Sequence, residues 1–511
     1  MGLYALFVVS TLLLVVIGFS QAFLLALVAS VLTFFYFKKI ESDFLMTASE
    51  PEVKVSKVGN HQIMAVILAV LSLLFYINPK LPSGATIVES LSAKTQISNT
   101  EIRPTLDTTL SIAKSVLSGQ VLFGSGPNTF TRDWLLFKPV QINATPFWSI
   151  IFSSGFGFLP TQLSTTGIVG AAAWIVFFWL LVTLMLKALS NVPESRSTRF
   201  TLVASLAITL FMWVSMFFYT PSITLFILAF IFTGIFLSAC VSAGVLSTID
   251  HDLSRAPTKL VGKSALVLGS LVVIFFAWTG LNNALGSYHF GRAAVLLNTE
   301  GASIDTIGEE LDKAVKFQPI DTYYRAISQI NFSKAQAYAT SATGTPETNR
   351  ANFDQAVAKS LDASRQAILV NPASDVNWSG LGAIYTALVA EPLKVEGAYE
   401  SAQSAYLESA KRNPTDPTIP LNLAQLEVNK GNNDNAKAYI QSALNLKSDF
   451  IDAYILLARI QYSLNDFQGV KTVLTRALQF DPQNQSIKQA IEDMNVKIAT
   501  PPATTTPATK K

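Results

Sequence analysis

The sequence contains few cysteines, histidines and charged residues, and their scarcity excludes several kinds of site and partner. Among its 511 residues there is one cysteine, Cys240, which excludes an intramolecular disulfide and a cysteine-based metal site. Only 14% of the residues are charged, against about 25% in a typical soluble domain. The formal net charge is +3. Proteins that bind nucleic acid need a dense basic surface, so a nucleic-acid partner is disfavoured.

Long apolar runs are abundant instead, and most of them precede residue 284. A helix that crosses a membrane needs about 20 mostly apolar residues. A signal peptide is the alternative explanation for residues 1–20, but this stretch lacks a basic start and a small-residue cleavage site. We therefore predict seven spans, the first two joined as a hairpin, at 2–18, 22–37, 62–78, 165–187, 200–218, 222–246 and 264–283.

The basic residues in the short connections predict the orientation of these spans. Lysines and arginines follow the second run, separate the fourth from the fifth, and precede the seventh (Lys38, Lys39, Lys54, Lys57, Lys187, Arg196, Arg199, Arg255, Lys259 and Lys263). With seven spans, all these connections lie on one face, which we predict to be cytoplasmic. The loop 79–164 and everything after the last span then lie outside the plasma membrane.

From residue 284 onward the apolar residues follow a helical period that comes in pairs. The clearest pair begins at Pro417 and recurs from Ile451, a spacing of 34 residues. Small residues such as Gly382, Ala424 and Ala458 would let two helices approach closely. This pattern resembles the tetratricopeptide repeat, a helix–turn–helix of 34 residues. We predict about five helical pairs and a capping helix whose apolar stripe consists of Ile487, Ala490, Ile491 and Met494.

The stretch 119–180 contains two glycine-bearing segments and a polar segment between them (Gly124-Ser125-Gly126-Pro127-Asn128-Thr129-Phe130, Asn143-Ala144-Thr145-Pro146-Phe147-Trp148 and Ser164-Thr165-Thr166-Gly167-Ile168-Val169-Gly170). In order and spacing these segments resemble the O-antigen ligase/polymerase superfamily, over roughly residues 60–250. The resemblance implies transfer or polymerisation of an undecaprenyl-diphosphate-linked oligosaccharide at the outer membrane face. It further implies a metal-independent glycosyltransferase without a cofactor, whose partners are the lipid bilayer and the polyprenyl-diphosphate-linked glycan.

The resemblance also implies that basic residues of the outer loop hold the donor diphosphate. The candidates in this sequence are Arg132, Arg103 and Lys138, each of which has the alternative of an ordinary solvated or headgroup-facing side chain. Gly124 and Gly126 are further candidates, since glycine-rich turns can direct backbone N–H groups at phosphate. Their alternative is a plain turn closed by the following proline.

A histidine of the family, assigned to activating the acceptor hydroxyl, has no counterpart here. The corresponding place reads Gln141-Ile142-Asn143, of which Asn143 alone matches, and the three histidines are His61, His251 and His289. Asn143 and Asp133 are therefore the catalytic candidates. Asp133 could accept the proton of the acceptor, or form an ordinary ion pair with the neighbouring arginine.

We predict an all-α protein: a polytopic transmembrane helix bundle followed by a tetratricopeptide-type α-solenoid. Its parts are three spans (1–78), an extracytoplasmic loop region (79–164), four spans (165–283), the helical repeats (284–498) and a disordered Pro/Thr-rich tail (499–511). Two functions stay open. One is the glycan ligase or polymerase, and the other is a non-catalytic membrane-anchored scaffold whose solenoid binds a protein partner.

Overall fold

The computed structural model describes residues 56–82, 84–95, 102–218, 220, 222–247, 256–340, 344–390 and 393–499, with the single positions 23, 26, 27, 30, 31 and 34. Within these ranges all regular structure is helical, apart from an isolated bridge between Lys80 and Thr86. The all-α prediction is therefore confirmed. The predicted span 2–18, most of the span 22–37 and the tail beyond Ala499 lie outside the described residues.

The chain forms two compact units, which are described separately. The first comprises Met1–Asp133 and Phe152–Asp250, and the second comprises Trp134–Ile151 and His251–Lys511. Between residues 56 and 250, the described ranges contain the helices α1 Ser56–Ile77, α2 Ile87–Thr95, α3 Leu106–Gly119, α4 Phe130–Phe137, α5 Phe158–Ser190, α6 Arg196–Phe218 and α7 Ile223–Ser242. A 3-10 turn, Val140–Ala144, follows α4.

Among the described residues of the first unit, three helices are long and apolar enough to cross a membrane, namely α5, α6 and α7. They correspond to the predicted spans 165–187, 200–218 and 222–246. The predicted span 62–78 corresponds to Gln62–Ile77 of α1, which is a shorter apolar helix. In the second unit, α8 (Ala256–Leu297) contains the predicted span 264–283 and also meets the length and composition of a span.

The bundle of α5, α6 and α7 has an aromatic core that is fixed by buried hydrogen bonds. Trp213 of α6 packs against Trp174 of α5, and its indole Nε1 donates to Thr233 Oγ1 of α7 at 2.9 Å. Thr209 also donates to the carbonyl oxygen of Phe232 at 3.0 Å. Polar side chains that bond across helices are effective there, because an apolar surrounding offers them few other partners.

The second unit is a stack of helical pairs. After α8 come α9 Ile304–Phe317, α10 Asp321–Thr340, α11 Pro346–Val370, α12 Asp375–Val389, α13 Ala398–Arg412, α14 Thr418–Lys430, α15 Asn433–Leu446, α16 Ile451–Ser463, α17 Phe467–Phe480 and α18 Gln485–Ala499. Pro417 caps α14, and Ile451 begins α16, as the 34-residue spacing predicts. The last helix, α18, buries Ile487 and Met494 against the preceding pair, which confirms the predicted capping helix.

Small residues let the helices of a pair approach closely. Gly382 of α12 faces the ring of Tyr406 in α13, and a Cβ at Gly382 would lie 2.8 Å from Tyr406 Cε1. Ala424 and Ala458 are buried at the equivalent places of the next two pairs. These residues therefore have the packing role that the sequence predicted.

Candidate functional site

The first glycine segment lies against a break in helix α5. At Gly167 the backbone has φ 65° and ψ −163°, so the helical hydrogen-bond ladder stops and restarts there. Such a break leaves carbonyl and N–H groups without helical partners. Four backbone hydrogen bonds from the loop satisfy them: Ser125 N to Ser164 O (3.1 Å), Gly126 N to Thr165 O (2.9 Å), Ile168 N to Val121 O (3.1 Å) and Val169 N to Leu122 O (3.1 Å).

Two glycines make this close approach possible, and we call the arrangement of loop 121–129 on residues 164–169 the glycine clasp. A Cβ at Gly124 would lie 2.6 Å from the backbone nitrogen of Gly167. Conversely, a Cβ at Gly167 would lie 2.5 Å from the backbone nitrogen of Gly124. Both residues also have positive φ values, of 63° and 65°, which side chains disfavour. The two glycine segments of the motif are therefore in direct contact.

The two N–H groups predicted to bind the diphosphate both donate to main-chain carbonyls. Gly124 N donates to Gln120 O at 3.0 Å, and Gly126 N donates to Thr165 O at 2.9 Å. A phosphate on these groups would have to displace backbone carbonyls. A role of Gly124 and Gly126 in donor binding stays a prediction.

Asp133 lies under the clasp and is almost fully buried. Its Oδ2 atom accepts hydrogen bonds from Ser125 Oγ at 2.5 Å and from Ser164 Oγ at 2.6 Å, so it joins the loop to the first part of α5. Burial raises the pKa of Asp133, while the two hydroxyl donors and the charge of Arg132 oppose that rise. The carboxylate is thus occupied by two serine hydroxyls, and its use as a catalytic base stays a prediction.

The two arginine candidates each donate to a main-chain carbonyl. Arg132 Nη2 donates to Ser125 O at 2.9 Å, which adds a further bond to the clasp. Arg103 Nη1 donates to Phe156 O at 2.7 Å, and its guanidinium carbon lies 4.1 Å from the centroid of the Phe156 ring. Both arginines therefore support loops that precede or contact α5. Their role as diphosphate ligands stays a prediction.

Lys138 and Asn143 belong to the second unit, where residues 138–148 lie along the solenoid. We call these residues the docked segment. Lys138 is buried, and its Nζ donates to Trp148 O at 3.1 Å. Burial lowers the pKa of Lys138, while the charges of Asp416 and Asp375 oppose this change. Lys138 is thus held within the segment by the carbonyl of Trp148, and a diphosphate role for it also stays a prediction.

Asn143 makes the most buried contact of the docked segment. Its side chain is 0% exposed, and Nδ2 donates to Thr415 O at 2.7 Å and to Leu446 O at 3.1 Å. In return, Lys447 Nζ donates to the main-chain oxygen of Asn143 at 2.8 Å. The amide therefore joins two successive turns of the solenoid. The catalytic role suggested for Asn143 stays a prediction.

Trp148 ends the docked segment against the same repeats. Its ring meets Phe450 edge-on at 5.7 Å between centroids, and Lys447 Nζ lies 5.2 Å from the Trp148 centroid. The sequence analysis did not single out Lys447, Phe450 or Thr415. Their partners lie 272 to 304 positions away along the chain, and no periodicity records a contact over that separation.

His289, which follows the last predicted span, packs against neighbouring side chains. It stacks on Phe317 at 5.6 Å between centroids, and its Nδ1 lies 2.8 Å from Glu310 Oε2. Hydrogen bonds from His289 and Lys313 lower the pKa of Glu310 to about 2. Within the described ranges, no group of three or more histidine, cysteine, aspartate or glutamate residues has the geometry of a metal site.

Comparison with known families identifies one repeat directly. Residues 421–450, which span α14 and α15 up to the following turn, match the tetratricopeptide repeat family. The match covers one of the helical pairs, and the neighbouring pairs have the same helix–turn–helix arrangement. The C-terminal half is therefore a tetratricopeptide-type solenoid.

Several solved structures are similar to parts of this chain at low identity. A thermophilic TPR protein of Thermus thermophilus is 17% identical, with 43% of this chain and 99% of that chain covered and a TM-score of 0.30. PilF of Pseudomonas aeruginosa is 12% identical, with 42% and 91% covered and a TM-score of 0.30. The first TPR domain of Spaghetti (RPAP3), bound to an HSP90 peptide, is 18% identical, with 25% and 97% covered and a TM-score of 0.21. At these scores the repeat assignment rests on the family match and on the helical pairs themselves.

Proposed function

We propose that this chain is a non-catalytic scaffold of the plasma membrane, which holds a tetratricopeptide solenoid at the membrane surface for a protein partner. The observation that carries the proposal is helix α8. This single helix of 42 residues contains an apolar stretch long enough to span a bilayer and continues into the base of the solenoid. In the orientation predicted from the basic residues, the repeats lie outside the cell.

The apolar part of α8 has the surface of a lipid-facing helix. Leu266 is 73% exposed and Phe276 is 66% exposed, and large apolar side chains surround them on every side of the helix. Soluble proteins rarely expose so continuous an apolar surface. At 1.5 Å per residue the helix is about 63 Å long, roughly twice the thickness of the hydrocarbon core. Residues 284–297, about a third of the helix, follow the predicted span and are thus available to support the repeats.

The C-terminal part of α8 packs as the first helix of the repeats. Phe290 stacks on Tyr323 of α10 at 4.8 Å between centroids, and Ala293 is buried in a cluster with Ile307 and Leu311 of α9. A Cβ at Gly286 would lie 3.3 Å from the carbonyl oxygen of Ala314. These contacts anchor the solenoid on the same helix that supplies the apolar stretch.

The anchoring can be tested with a fluorophore in nanodiscs that contain doxyl-labelled lipids. In a Cys240→Ser background, a label at Val273→Cys should be strongly quenched, because residue 273 is exposed and central in the apolar stretch. A label at Leu407→Cys, an exposed position of α13, is the matched control and should not be quenched. Equal quenching at both positions would contradict a membrane anchor at α8.

The ligase-type function is the second candidate, and the clasp favours it. The clasp brings together the two glycine segments that resemble the O-antigen ligase/polymerase superfamily, with Arg132 and Asp133 beside them. We would add a labelled undecaprenyl-diphosphate oligosaccharide to the chain in nanodiscs and record loss of the lipid-linked form. Turnover that falls in Arg132→Ala, but not in the exposed-lysine control Lys114→Ala, would overturn the non-catalytic proposal. An absence of turnover in all three proteins is the result that we expect.

A further inference from the structure

Two successive inter-repeat turns of the solenoid contact the docked segment, and the charge of a third acts on it. The charges of Asp375 and Asp416, at the first two turns, oppose the lowering of the pKa of Lys138, whose ammonium group donates to Trp148 O of the same segment. Five residues later, Asn143 contacts the second and third turns, and five residues after that Trp148 contacts the third. The segment is therefore a loop that Lys138 closes, and Asn143 and Trp148 hold it on the edge formed by these turns.

The chemistry of this edge discriminates between side chains. Both N–H donors of the Asn143 amide are directed at main-chain carbonyls, at 2.7 and 3.1 Å. An aspartate there would offer no donor and would bring a buried charge toward two carbonyl oxygens. Lys447 donates to the main-chain oxygen of residue 143, in the 3-10 turn, and to Asp449, each at 2.8 Å, so it recognises the backbone of that turn and holds its own position.

Few buried apolar side chains hold the docked segment in place. Among residues 138–148, the buried side chains are Lys138 and Asn143, both polar, and Trp148 is partly buried. Segments with few buried apolar contacts open at lower free energy than the helices they lie on. Hydrogen bonds thus make the contacts of the segment specific, while little apolar surface is buried to hold it. This combination suits a ligand that can exchange.

We propose that this edge of the solenoid is a peptide-binding site and that residues 138–148 are its resident intramolecular ligand. The site takes a peptide that carries an asparagine and, five residues later, a tryptophan, in a turn closed by a basic residue five positions before the asparagine. A protein partner that carries this pattern binds only after the resident segment has left. The inference names the binding site of the proposed scaffold, and in that respect it rests on the scaffold function.

The test uses the full chain in nanodiscs and a fluorescein-labelled peptide of residues 136–150. An Asn143→Asp substitution in the chain should release its own segment. The variant should then bind the wild-type peptide about tenfold or more tightly than the wild-type chain does, the factor expected when one buried hydrogen-bonding group is lost. The matched control is Gln141→Glu, which makes the same charge change at an exposed position of the segment and should leave peptide affinity unchanged.

A second variant and a second measurement protect the test against misfolding. Trp148→Ala should also increase peptide binding, and hydrogen exchange of amides 139–148 in the wild-type chain should be faster than that of helix α15. Equal peptide affinity in all chains, or exchange of the segment only at the rate of α15, would overturn the inference. The anchoring of α8, measured by lipid quenching, is independent of either outcome.

Discussion

Replacing Gly382 with alanine tests whether close approach of α12 and α13 organises the repeats. The new Cβ would lie 2.8 Å from Tyr406 Cε1 and 2.9 Å from Cδ1, and the ring is 2% exposed, so it has little room to move. Tyr406 also holds a hydrogen bond with Thr386 at 3.1 Å, which a shifted ring would lose. Overpacking of this kind costs about 1–3 kcal/mol of unfolding free energy.

Gly380 provides the matched control for this substitution. It lies two residues away in the same helix, and a Cβ there would meet nothing within 4 Å. Both alanines gain about 1 kcal/mol of helix propensity, so the difference between the two variants isolates the steric clash. The expected gap of about 1–3 kcal/mol corresponds to roughly 2–12 °C in Tm for a unit of this size.

The assay is thermal unfolding of the full chain in micelles, with hydrogen exchange of the α12 amides to locate the change. Gly380→Ala should unfold slightly above the wild-type temperature, and Gly382→Ala roughly 2–12 °C below Gly380→Ala. Equal Tm values for the two variants would refute the argument that Gly382 is needed for the approach of Tyr406.

Three further predictions concern the clasp and the base of the solenoid. Gly167→Ala should lower the unfolding free energy of the first unit by about 2 kcal/mol or more from positive-φ strain and overpacking, whereas Gly234→Ala, in open space within helix α7, should leave it unchanged or raise it by up to about 1 kcal/mol in a denaturant titration. The pKa of Glu310 is lowered from 4.5 to about 2 in the folded chain, so its contribution to stability is complete above pH 4.5 and lost as the pH falls toward 2. In Glu310→Gln, the Tm should therefore vary less between pH 4.5 and pH 2 than it does in the wild type. Burial raises the pKa of Asp133, so the contribution of this carboxyl group to stability declines as the pH rises above its usual pKa of 3.8. In denaturant titrations, the unfolding free energy of Asp133→Asn relative to that of the wild type should be higher at pH 8 than at pH 4. An equal difference at both pH values would contradict this.

The repeats could be predicted because their signals are local. A 34-residue spacing, small residues at helix crossings and a one-sided apolar stripe are all properties of neighbouring residues, and Pro417, Ile451 and Gly382 occur where that spacing requires. The end of α8 was harder to predict. The apolar run stops near residue 283, whereas the helix continues to Leu297, because the apolar side chains of the later residues pack on the repeats.

The sites could be predicted only in part, because their contacts are distant in sequence. The glycine segments were identified, but their mutual contact was not, since Gly124 and Gly167 are far apart along the chain and meet only when α5 breaks. Asn143 was selected by its resemblance to a family motif. Its observed partners, Thr415 and Leu446, lie in turns whose residues carry no distinctive pattern.

Because α8 is one continuous helix, the number of residues between its apolar stretch and Phe290 sets how far the repeats are rotated about the helix axis relative to that stretch. An α-helix turns by about 100° and advances by about 1.5 Å for each residue. One residue inserted between the apolar stretch and Phe290 would therefore rotate every repeat about the helix axis by nearly a third of a turn, with little change in height above the lipid. Two inserted residues would rotate the repeats by more than half a turn, so the proposed peptide-binding edge would face nearly the opposite direction. The number of residues between the apolar stretch and the repeats therefore sets the direction in which the proposed peptide-binding edge faces.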